Sequence, residues 1–158
     1  MSATILIVED EYAVARGIQY ALQQEGYSVT VARSGEEGLT FATGQAPDLV
    51  VLDVRLPGMT GPELQDHLRR ESIEIPIVFV SAHADVPTAV NAMKGGAVDF
   101  IQKPFDYRQA VAVVRRALER DAQARERHAR RAQLAERLAP QVALQLRAAH
   151  AGQPHVEH

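Results

Sequence analysis

Short apolar runs alternate with segments of helical periodicity over the first 118 residues, and this alternation limits the fold more than any other feature of the sequence. The apolar runs predict five strands, namely Ile5–Val8, Ser28–Ala32, Leu49–Leu52, Ile77–Val80 and Val98–Ile101. Most of these runs are apolar at successive positions, so both faces of each strand are expected to be buried. Strands of this kind, separated by helices, predict an α/β fold, a doubly wound five-stranded parallel sheet with helices on both faces.

The segments between the predicted strands carry the signals of helices. Apolar side chains recur at the spacing of one helix face between Tyr12 and Glu25. Ser34 is placed to cap the next helix, and Glu37 three residues later completes a capping box. The other helices are predicted at about Gly35–Thr43, around Leu64 and Leu68, over Val86–Met93, and from about Asp106 onward.

The last 40 residues differ in composition from the rest of the chain. Residues 1–118 carry 10 Lys/Arg and 15 Asp/Glu, whereas residues 119–158 carry 7 Arg, 5 Asp/Glu and 10 alanines. All the Phe and Tyr residues precede position 108, so the last segment cannot form a core of its own. We therefore predict a core-forming domain over residues 1–120, a helical linker or tail over residues 121–150, and disorder over residues 151–158.

Three interpretations of this tail are open. Asp106–Ala139 contains no Gly or Pro, and one continuous helix over it would be about 50 Å long. The helix is either a solvated extension or a signalling helix that pairs between protomers. Pro140 is expected to start a second short helix at its first turn. A basic stripe for DNA is the third interpretation, although the tail has no helix-turn-helix pattern. The apolar residues that would pair are spaced four apart, at Leu134, Leu138, Val142 and Leu146.

The sequence excludes several classes of function. It contains no cysteine, which rules out disulfides, thiol catalysis and cysteine-ligated metal sites. Its longest apolar runs are about five residues, far short of a membrane span. The N-terminus lacks the basic and apolar regions of a signal peptide, and no P-loop or dinucleotide-binding fingerprint is present. The expected location is the cytoplasm, with no membrane partner.

Polar side chains follow four of the five predicted strands. Glu9 and Asp10 follow the first strand, Asp53 ends the third, Ser81 ends the fourth and Lys103 follows the fifth. The carboxyl ends of parallel strands meet at one edge of the sheet, where doubly wound folds have their functional crevice. Three carboxylates at one edge repel one another. Because a hard divalent cation relieves that repulsion through oxygen ligands, the sequence predicts a Mg²⁺ site beside Asp53.

This set of side chains is suited to phosphoryl transfer. The Asp53 carboxylate can act as a nucleophile toward phosphorus, and it needs no general base because aspartate is ionised near neutral pH. Lys103 can neutralise charge on the phosphoryl oxygens, and Ser81 can donate a hydrogen bond to one of them. Each residue alone has a simpler explanation, such as a helix cap or a solvated surface group. Only the meeting of these side chains at one edge of the sheet, from four separate segments, indicates a site for phosphoryl transfer.

The order of these motifs resembles the receiver domain of two-component response regulators. The matching segments are Ile5–Asp10, Asp48–Asp53, Leu56–Met59 with Gly61, Val80–Ala82 and Lys103–Phe105. The resemblance covers about residues 3–120. It implies a flavodoxin-like sheet of strand order 2-1-3-4-5 and phosphorylation by a sensor histidine kinase.

The resemblance also implies roles for the acidic residues and their neighbours. Asp53 is the expected phosphoacceptor. Asp10, Asp53 and the backbone carbonyl of Arg55 are the expected direct ligands of Mg²⁺, and Glu9 is expected to act through a water molecule. Many relatives have Asp at that position, so the longer Glu9 is a departure from the family pattern. The side chains of Arg55 and His83 lie where the family tunes the rate of dephosphorylation.

The remaining site residues are assigned to the response to phosphorylation. The resemblance implies that Lys103 pairs with the phosphoryl group and that the Lys103–Pro104 peptide bond is cis. Ser81 is the hydroxyl that turns toward the phosphate. Phe100 occupies the position of the aromatic switch, which moves inward as Ser81 moves. This movement is expected to change the face made by the fourth helix, fifth strand and fifth helix, and to favour a homodimer.

The receiver and its arginine-rich linker resemble those of the nitrogen-fixation type of transcriptional regulator. The resemblance implies control of transcription through a DNA-binding domain outside this chain. The alternative is a stand-alone receiver that acts as a phosphorelay shuttle or protein-interaction switch. A turnover phosphatase is not expected, because such enzymes need an acid where this chain has Arg55. A flavodoxin-like electron carrier is not expected either, because Asp53 would repel a flavin phosphate.

Overall fold

Strands and helices alternate along the chain as the sequence predicts. The computed structural model describes residues 2–82 and 86–152. Its elements are β1 (Thr4–Val8), α1 (Tyr12–Gln24), β2 (Ser28–Ala32), α2 (Gly35–Gln45), β3 (Leu49–Asp53), α3 (Gly61–Arg70), β4 (Ile77–Ser81), α4 (Val86–Lys94), β5 (Asp99–Gln102) and α5 (Tyr107–Ala151). The predicted α/β architecture is confirmed, and every predicted strand boundary is correct to within one residue.

The five strands form one parallel sheet in the order β2-β1-β3-β4-β5. β3 and β4 lie inside the sheet and are buried along their whole length, whereas the edge strands β2 and β5 are only partly buried. The strand order reverses between β1 and β3, which places a crevice at the carboxyl ends of these two strands. The order is the one that the resemblance implies.

Alternate residues of the inner strands enter two hydrophobic cores, one on each face of the sheet. One core includes Leu6 and Val8 of β1 together with residues of α2, α3 and α4. The other includes Ile5 and Ile7 of β1 together with residues of α1 and α5. Burial of both faces explains why these strands are apolar at every position. This burial fixes the register of the strands, and it thereby fixes the positions of the residues at the strand ends.

Side-chain caps begin helices α2 and α3. Ser34 Oγ accepts a hydrogen bond from the Glu37 N–H at 3.1 Å at the start of α2, which confirms the predicted cap. The reciprocal bond of a capping box, from the Ser34 N–H to the Glu37 carboxylate, is not formed among the described residues. Thr60 Oγ1 accepts from the Glu63 N–H at 3.3 Å at the start of α3. Each cap satisfies one of the free N–H groups of a first helical turn.

The chain divides into two compact units at Arg120 and Asp121. In the first unit, α5 buries Ala110, Val113 and Val114 against the sheet. In the second unit, residues 121–151 are helical and residues 122–152 are exposed. The expectation that Pro140 starts a separate helix is wrong, because the helix continues through Pro140. Proline removes a single N–H donor, which a helix can accommodate by bending.

Two expectations from the sequence lie outside the described residues. These are the role of His83 and, for the disorder predicted over residues 151–158, residues 153–158. At Ala151 the prediction of disorder is wrong, because this residue is the last of α5. Among the residues that the structure does describe, no helix is long and apolar enough to cross a membrane.

Candidate phosphoryl-acceptor site

The parallel sheet brings four polar strand ends to one edge. Glu9 and Asp10 follow β1, Asp53 is the last residue of β3, Ser81 is the last residue of β4, and Lys103 follows β5. The main chain also joins two of these ends, because the Lys103 N–H donates to the Ser81 carbonyl at 2.8 Å. The convergence that the sequence predicts therefore occurs.

The ammonium group of Lys103 lies among three carboxylates. Lys103 Nζ donates to Glu9 Oε1 at 3.1 Å, to Asp53 Oδ2 at 3.3 Å and to Glu11 Oε1 at 3.3 Å. The side chains of Glu9 and Asp53 are 2% and 6% exposed, whereas that of Glu11 is 61% exposed. A buried charge is stable only when it is paired, so Lys103 and the two buried carboxylates require one another.

Both oxygens of the Asp53 carboxylate have a donor. Oδ2 accepts from Lys103 Nζ, and Oδ1 accepts from the backbone N–H of Arg55 at 3.1 Å. These contacts come from separate segments of the chain, one from the loop after β3 and one from the loop after β5. The carboxylate is therefore held in a defined orientation before any ligand binds.

Glu9, Asp10 and Asp53 form a group of oxygen donors suited to a hard cation. One carboxylate oxygen from each lies within 4.8 Å of the others. Mg²⁺ binds oxygen at about 2.1 Å, which places opposite ligands about 4.2 Å apart. The group is therefore of the size that can surround a Mg²⁺ ion, directly or through an intervening water molecule. The donor set excludes metals that need sulfur or imidazole ligands.

Glu9 and Lys103 have shifted pKa values. Burial raises the pKa of Glu9 from 4.5 to about 9, and the hydrogen bond and charge of Asp53 act in the same direction against the opposing effect of Lys103. Burial lowers the pKa of Lys103, but the charges and hydrogen bonds of Asp53 and Glu9 outweigh it and raise the pKa. The metal-free site therefore favours the protonated form of Glu9 more than water would, and it favours the cationic form of Lys103.

The raised pKa of Glu9 predicts how stability depends on pH when no metal is present. Between pH 4.5 and about 9, the folded chain binds a proton at Glu9 that the unfolded chain does not, so the free energy of unfolding falls as the pH rises. We expect a loss on the order of a few kcal/mol across this window. Urea unfolding in EDTA at several pH values, followed by circular dichroism, measures it.

The Glu9→Gln variant is the control for this pH dependence. Its amide cannot ionise, yet it has the size and the donor and acceptor groups of a neutral glutamic acid. We expect its stability to change less between these pH values than that of the parent chain. Equal pH dependence in the two proteins would contradict the assignment of the raised pKa to Glu9.

Ser81 is fully buried and its hydroxyl group is unsatisfied. Within residues 2–82 and 86–152, Ser81 Oγ is a buried polar atom with no hydrogen-bond partner. An unsatisfied buried group of this kind costs about 1–3 kcal/mol. A new acceptor at this edge of the sheet would therefore be stabilised by Ser81. The Lys103–Pro104 peptide bond is cis, as the resemblance implies.

Comparison with known proteins agrees with this geometry. The family described as the response regulator receiver domain matches residues 5–115, most of the chain. This chain belongs to the response regulator receiver family. Members of the family are signalling modules of two-component systems rather than turnover enzymes.

Individual relatives point to the same family. The receiver is 40% identical over 124 residues to nodulation protein W of Bradyrhizobium diazoefficiens, covering 78% of this chain and 55% of the relative. It is 40% identical over 116 residues to transcriptional regulatory protein FixJ of Rhizobium meliloti, covering 73% of this chain and 57% of the relative. The crystal structure of the receiver domain of NtrX from Brucella abortus superposes with a TM-score of 0.69 at 37% identity, covering 73% of this chain and 98% of that one. The receiver thus spans about half the length of the first two relatives.

Phe100 and Arg55 lie at the margins of the site. Phe100 is half-buried on β5 beside Phe79 of β4, and it lines a surface hollow of about 340 Å³ together with Lys103. The exposed Arg55 lines a second hollow of about 490 Å³, which also includes Asp10. The structure therefore places both residues next to the acidic cluster.

Sequence reasoning missed two contacts at the site. Glu11 contributes the third carboxylate at Lys103, 92 positions away along the chain. Arg33 Nη2 donates to the backbone carbonyl of Asp10 at 2.9 Å, and its guanidinium lies 5.5 Å from the centre of the Tyr12 ring. The acidic run Glu9–Glu11 indicates a local charge cluster, but it does not identify its distant partner.

Proposed function

We propose that this receiver is a phosphorylation-controlled switch that accepts a phosphoryl group on Asp53 from a sensor histidine kinase. The observation that supports the proposal is the pair of contacts on the buried Asp53 carboxylate, one from Lys103 Nζ at 3.3 Å and one from the Arg55 N–H at 3.1 Å. A fixed carboxylate beside a fixed cation provides positioning and charge neutralisation, which are the two main requirements of phosphoryl transfer.

In the proposed reaction, a carboxylate oxygen of Asp53 attacks the phosphorus of a phosphohistidine. A P–O bond forms as the P–N bond breaks, and the bonding electrons leave with the imidazole nitrogen, which takes up a proton. The product is an aspartyl phosphate. Lys103 neutralises charge on the transferred oxygens, because its ammonium group already lies at the acceptor carboxylate.

Mg²⁺ would supply further neutralisation of the phosphoryl charge when it is bound. We assign its ligands to Asp10, Asp53 and the backbone carbonyl of Arg55, with Glu9 acting through a water molecule. The support is the spacing of the three carboxylates, whose oxygens lie within 4.8 Å of one another. Glu9 orients Lys103 through its 3.1 Å hydrogen bond in the metal-free protein.

The proposed switch depends on the unsatisfied hydroxyl group of Ser81. Phosphoryl oxygens on Asp53 would be hydrogen-bond acceptors close to Ser81 Oγ, and movement of Ser81 toward them would make room for Phe100. Phe100 is half-buried, so an inward movement would remove more of its ring from solvent. The face formed by α4, β5 and the first turns of α5 would then change shape and favour a homodimer.

We propose that the output of the switch is control of transcription through a DNA-binding domain outside this chain. The support is that relatives at 40% identity include a protein named as a transcriptional regulator, of which this chain matches about half. The helical segment 121–150 is proposed as a signalling helix that extends the dimer. Its apolar side chains at Leu134, Leu138, Val142 and Leu146 are exposed.

One experiment tests both acceptance of the phosphoryl group and the dimer. The full chain is incubated with acetyl phosphate and Mg²⁺, and samples go to intact-mass spectrometry and to light scattering. We expect one phosphoryl group per chain and a doubled mass in solution, and neither of these in EDTA. Failure to take up phosphate would overturn the proposed function, whereas a phosphorylated monomer would overturn only the dimer.

A further inference from the structure

The loop between β3 and α3 carries the backbone carbonyl that we assign to Mg²⁺, and its first residue is firmly fixed. The Val54 N–H donates to the Val80 carbonyl at 3.0 Å, and the Val54 carbonyl accepts from the Gly61 N–H at 3.1 Å. Val54 is therefore held by β4 on one side and by the start of α3 on the other. Arg55, which follows it, donates its own N–H to Asp53.

The far end of the same loop is fixed by α2, an element that contributes no side chain to the acidic cluster. Glu36, in the first turn of α2, accepts a hydrogen bond from the Met59 N–H through Oε1 at 3.1 Å. Met59 itself packs against the hydrophobic core beneath it. The carboxylate of Glu36 thus holds the main chain of the loop four residues after Arg55.

Glycine at position 35 allows this close contact. A Cβ atom at Gly35 would lie 2.5 Å from the Met59 carbonyl oxygen and 2.7 Å from Met59 Cβ, so any larger residue would displace the main chain of the loop. Gly58 has a φ of +73°, and its reversed backbone brings the Met59 N–H to Glu36. Gly35, Gly58 and Glu36 therefore form one interlocking contact between α2 and the loop.

We propose that Glu36 and Gly35 are positioning residues for the Mg²⁺ site, an inference that rests on the proposed function. Only residues 55–58 lie between the two fixed points Val54 and Met59, and Leu56 among them is buried in the core against which Met59 packs. We therefore expect a shift of Met59 to displace the Arg55 carbonyl. Mg²⁺ requires near-ideal octahedral geometry, and its affinity is sensitive to small displacements of a ligand. Partners that hold metal ligands in place typically change affinity about 10- to 100-fold when they are removed.

Two neighbouring glutamates allow a controlled test of this inference. Glu37 lies in the same first turn as Glu36 and is also exposed, and its carboxylate contacts nothing among the described residues. Glu36→Ala and Glu37→Ala remove the same charge from the same helix end, but only the first removes the hydrogen bond to Met59. Glu36→Gln removes the charge and retains an acceptor oxygen. Gly35→Ala displaces the loop directly.

The readouts are the Mg²⁺ dissociation constant of the full chain by isothermal titration calorimetry, and the rate of phosphorylation by acetyl phosphate as a function of Mg²⁺ concentration. We expect Glu36→Ala to weaken Mg²⁺ binding about 3- to 10-fold, and Gly35→Ala to weaken it by about 10-fold or more. The rate at saturating Mg²⁺ should change by less than about twofold, because the chemical groups remain. Glu36→Gln and Glu37→Ala should bind Mg²⁺ within about twofold of the parent chain.

The outcomes separate this inference from the function on which it rests. Equal Mg²⁺ affinity of the Glu36→Ala and Glu37→Ala variants, with normal binding by the parent chain, would overturn the positioning role alone. Equal weakening by Glu36→Ala and Glu36→Gln would also overturn it, since charge and not the hydrogen bond would then be responsible. A parent chain that binds no Mg²⁺ would overturn the proposed metal site and this inference together.

Discussion

Replacement of Asp53 by asparagine is expected to abolish phosphorylation of the chain by acetyl phosphate. Asparagine has nearly the same size, and its amide oxygen can still accept from the Arg55 N–H, so the fold and the surrounding site should be retained. The amide is a poor nucleophile toward phosphorus, and uptake of phosphate should fall by at least about 100-fold. Intact-mass spectrometry of the Asp53→Asn variant measures the loss, and circular dichroism establishes that the variant is folded.

Asp66 provides the matched control for this substitution. It lies on the exposed face of α3, and among the described residues its carboxylate pairs with Arg69 at 3.0 Å and with no residue of the site, so Asp66→Asn makes the same chemical change elsewhere. We expect this variant to be phosphorylated like the parent chain. The phosphorylated product of the parent chain and that of Asp66→Asn should both be cleaved by hydroxylamine, since each is an acyl phosphate. Labelling of Asp53→Asn at the parent level would show that another residue is the acceptor.

The fold was predictable because its central strands are compatible with few architectures. Ile5–Val8 and Leu49–Leu52 are apolar at every position, and such runs are stable only in a sheet that is covered on both faces. The edge strand β5 is the least certain strand in the sequence, since its first and last residues, Asp99 and Gln102, are polar. Its predicted position is one residue early for that reason.

The candidate site was predictable to the extent that topology determines it. Asp53, Ser81 and Lys103 are separated along the sequence, but a parallel sheet necessarily brings the ends of β3, β4 and β5 to one edge. The strand order that completes the site came from the family resemblance, because the residues alone allow several orders. The side-chain geometry around Lys103 is visible only in the structure.

Contacts made by loops could not be predicted from sequence. The partners of Glu11 and Glu36 depend on the path of the loops after β5 and β3, and no periodic pattern encodes that path. At Pro140, a prediction from local sequence alone is wrong. A local rule predicts a break in the helix, because an interior proline costs about 3 kcal/mol, yet the helical turns on both sides of Pro140 are formed and the helix does not end there.

Replacement of Lys103 by methionine is expected to separate the chemical step from metal binding. Methionine fills a similar volume, but it removes the ammonium group that donates to Glu9 and Asp53. Loss of one preorganised group that stabilises transition-state charge typically lowers a rate about 10²- to 10³-fold, and we expect phosphorylation by acetyl phosphate to slow by about 100-fold. Quench-flow or timed intact-mass measurements at saturating Mg²⁺ give this rate.

Mg²⁺ affinity should respond differently, because the ammonium group of Lys103 competes with a metal ion for oxygens of the same carboxylates. Its removal leaves Glu9 and Asp53 without their cation, so the Lys103→Met variant should bind Mg²⁺ as tightly as the parent chain or more tightly. Lys94→Met is the control, since Lys94 is exposed in the last turn of α4. A Lys103→Met variant with the rate of Lys94→Met would show that Lys103 has no part in phosphoryl transfer. A Lys103→Met variant whose phosphorylation rate and Mg²⁺ affinity both fall by the same factor would show that Lys103 acts only by organising the carboxylates.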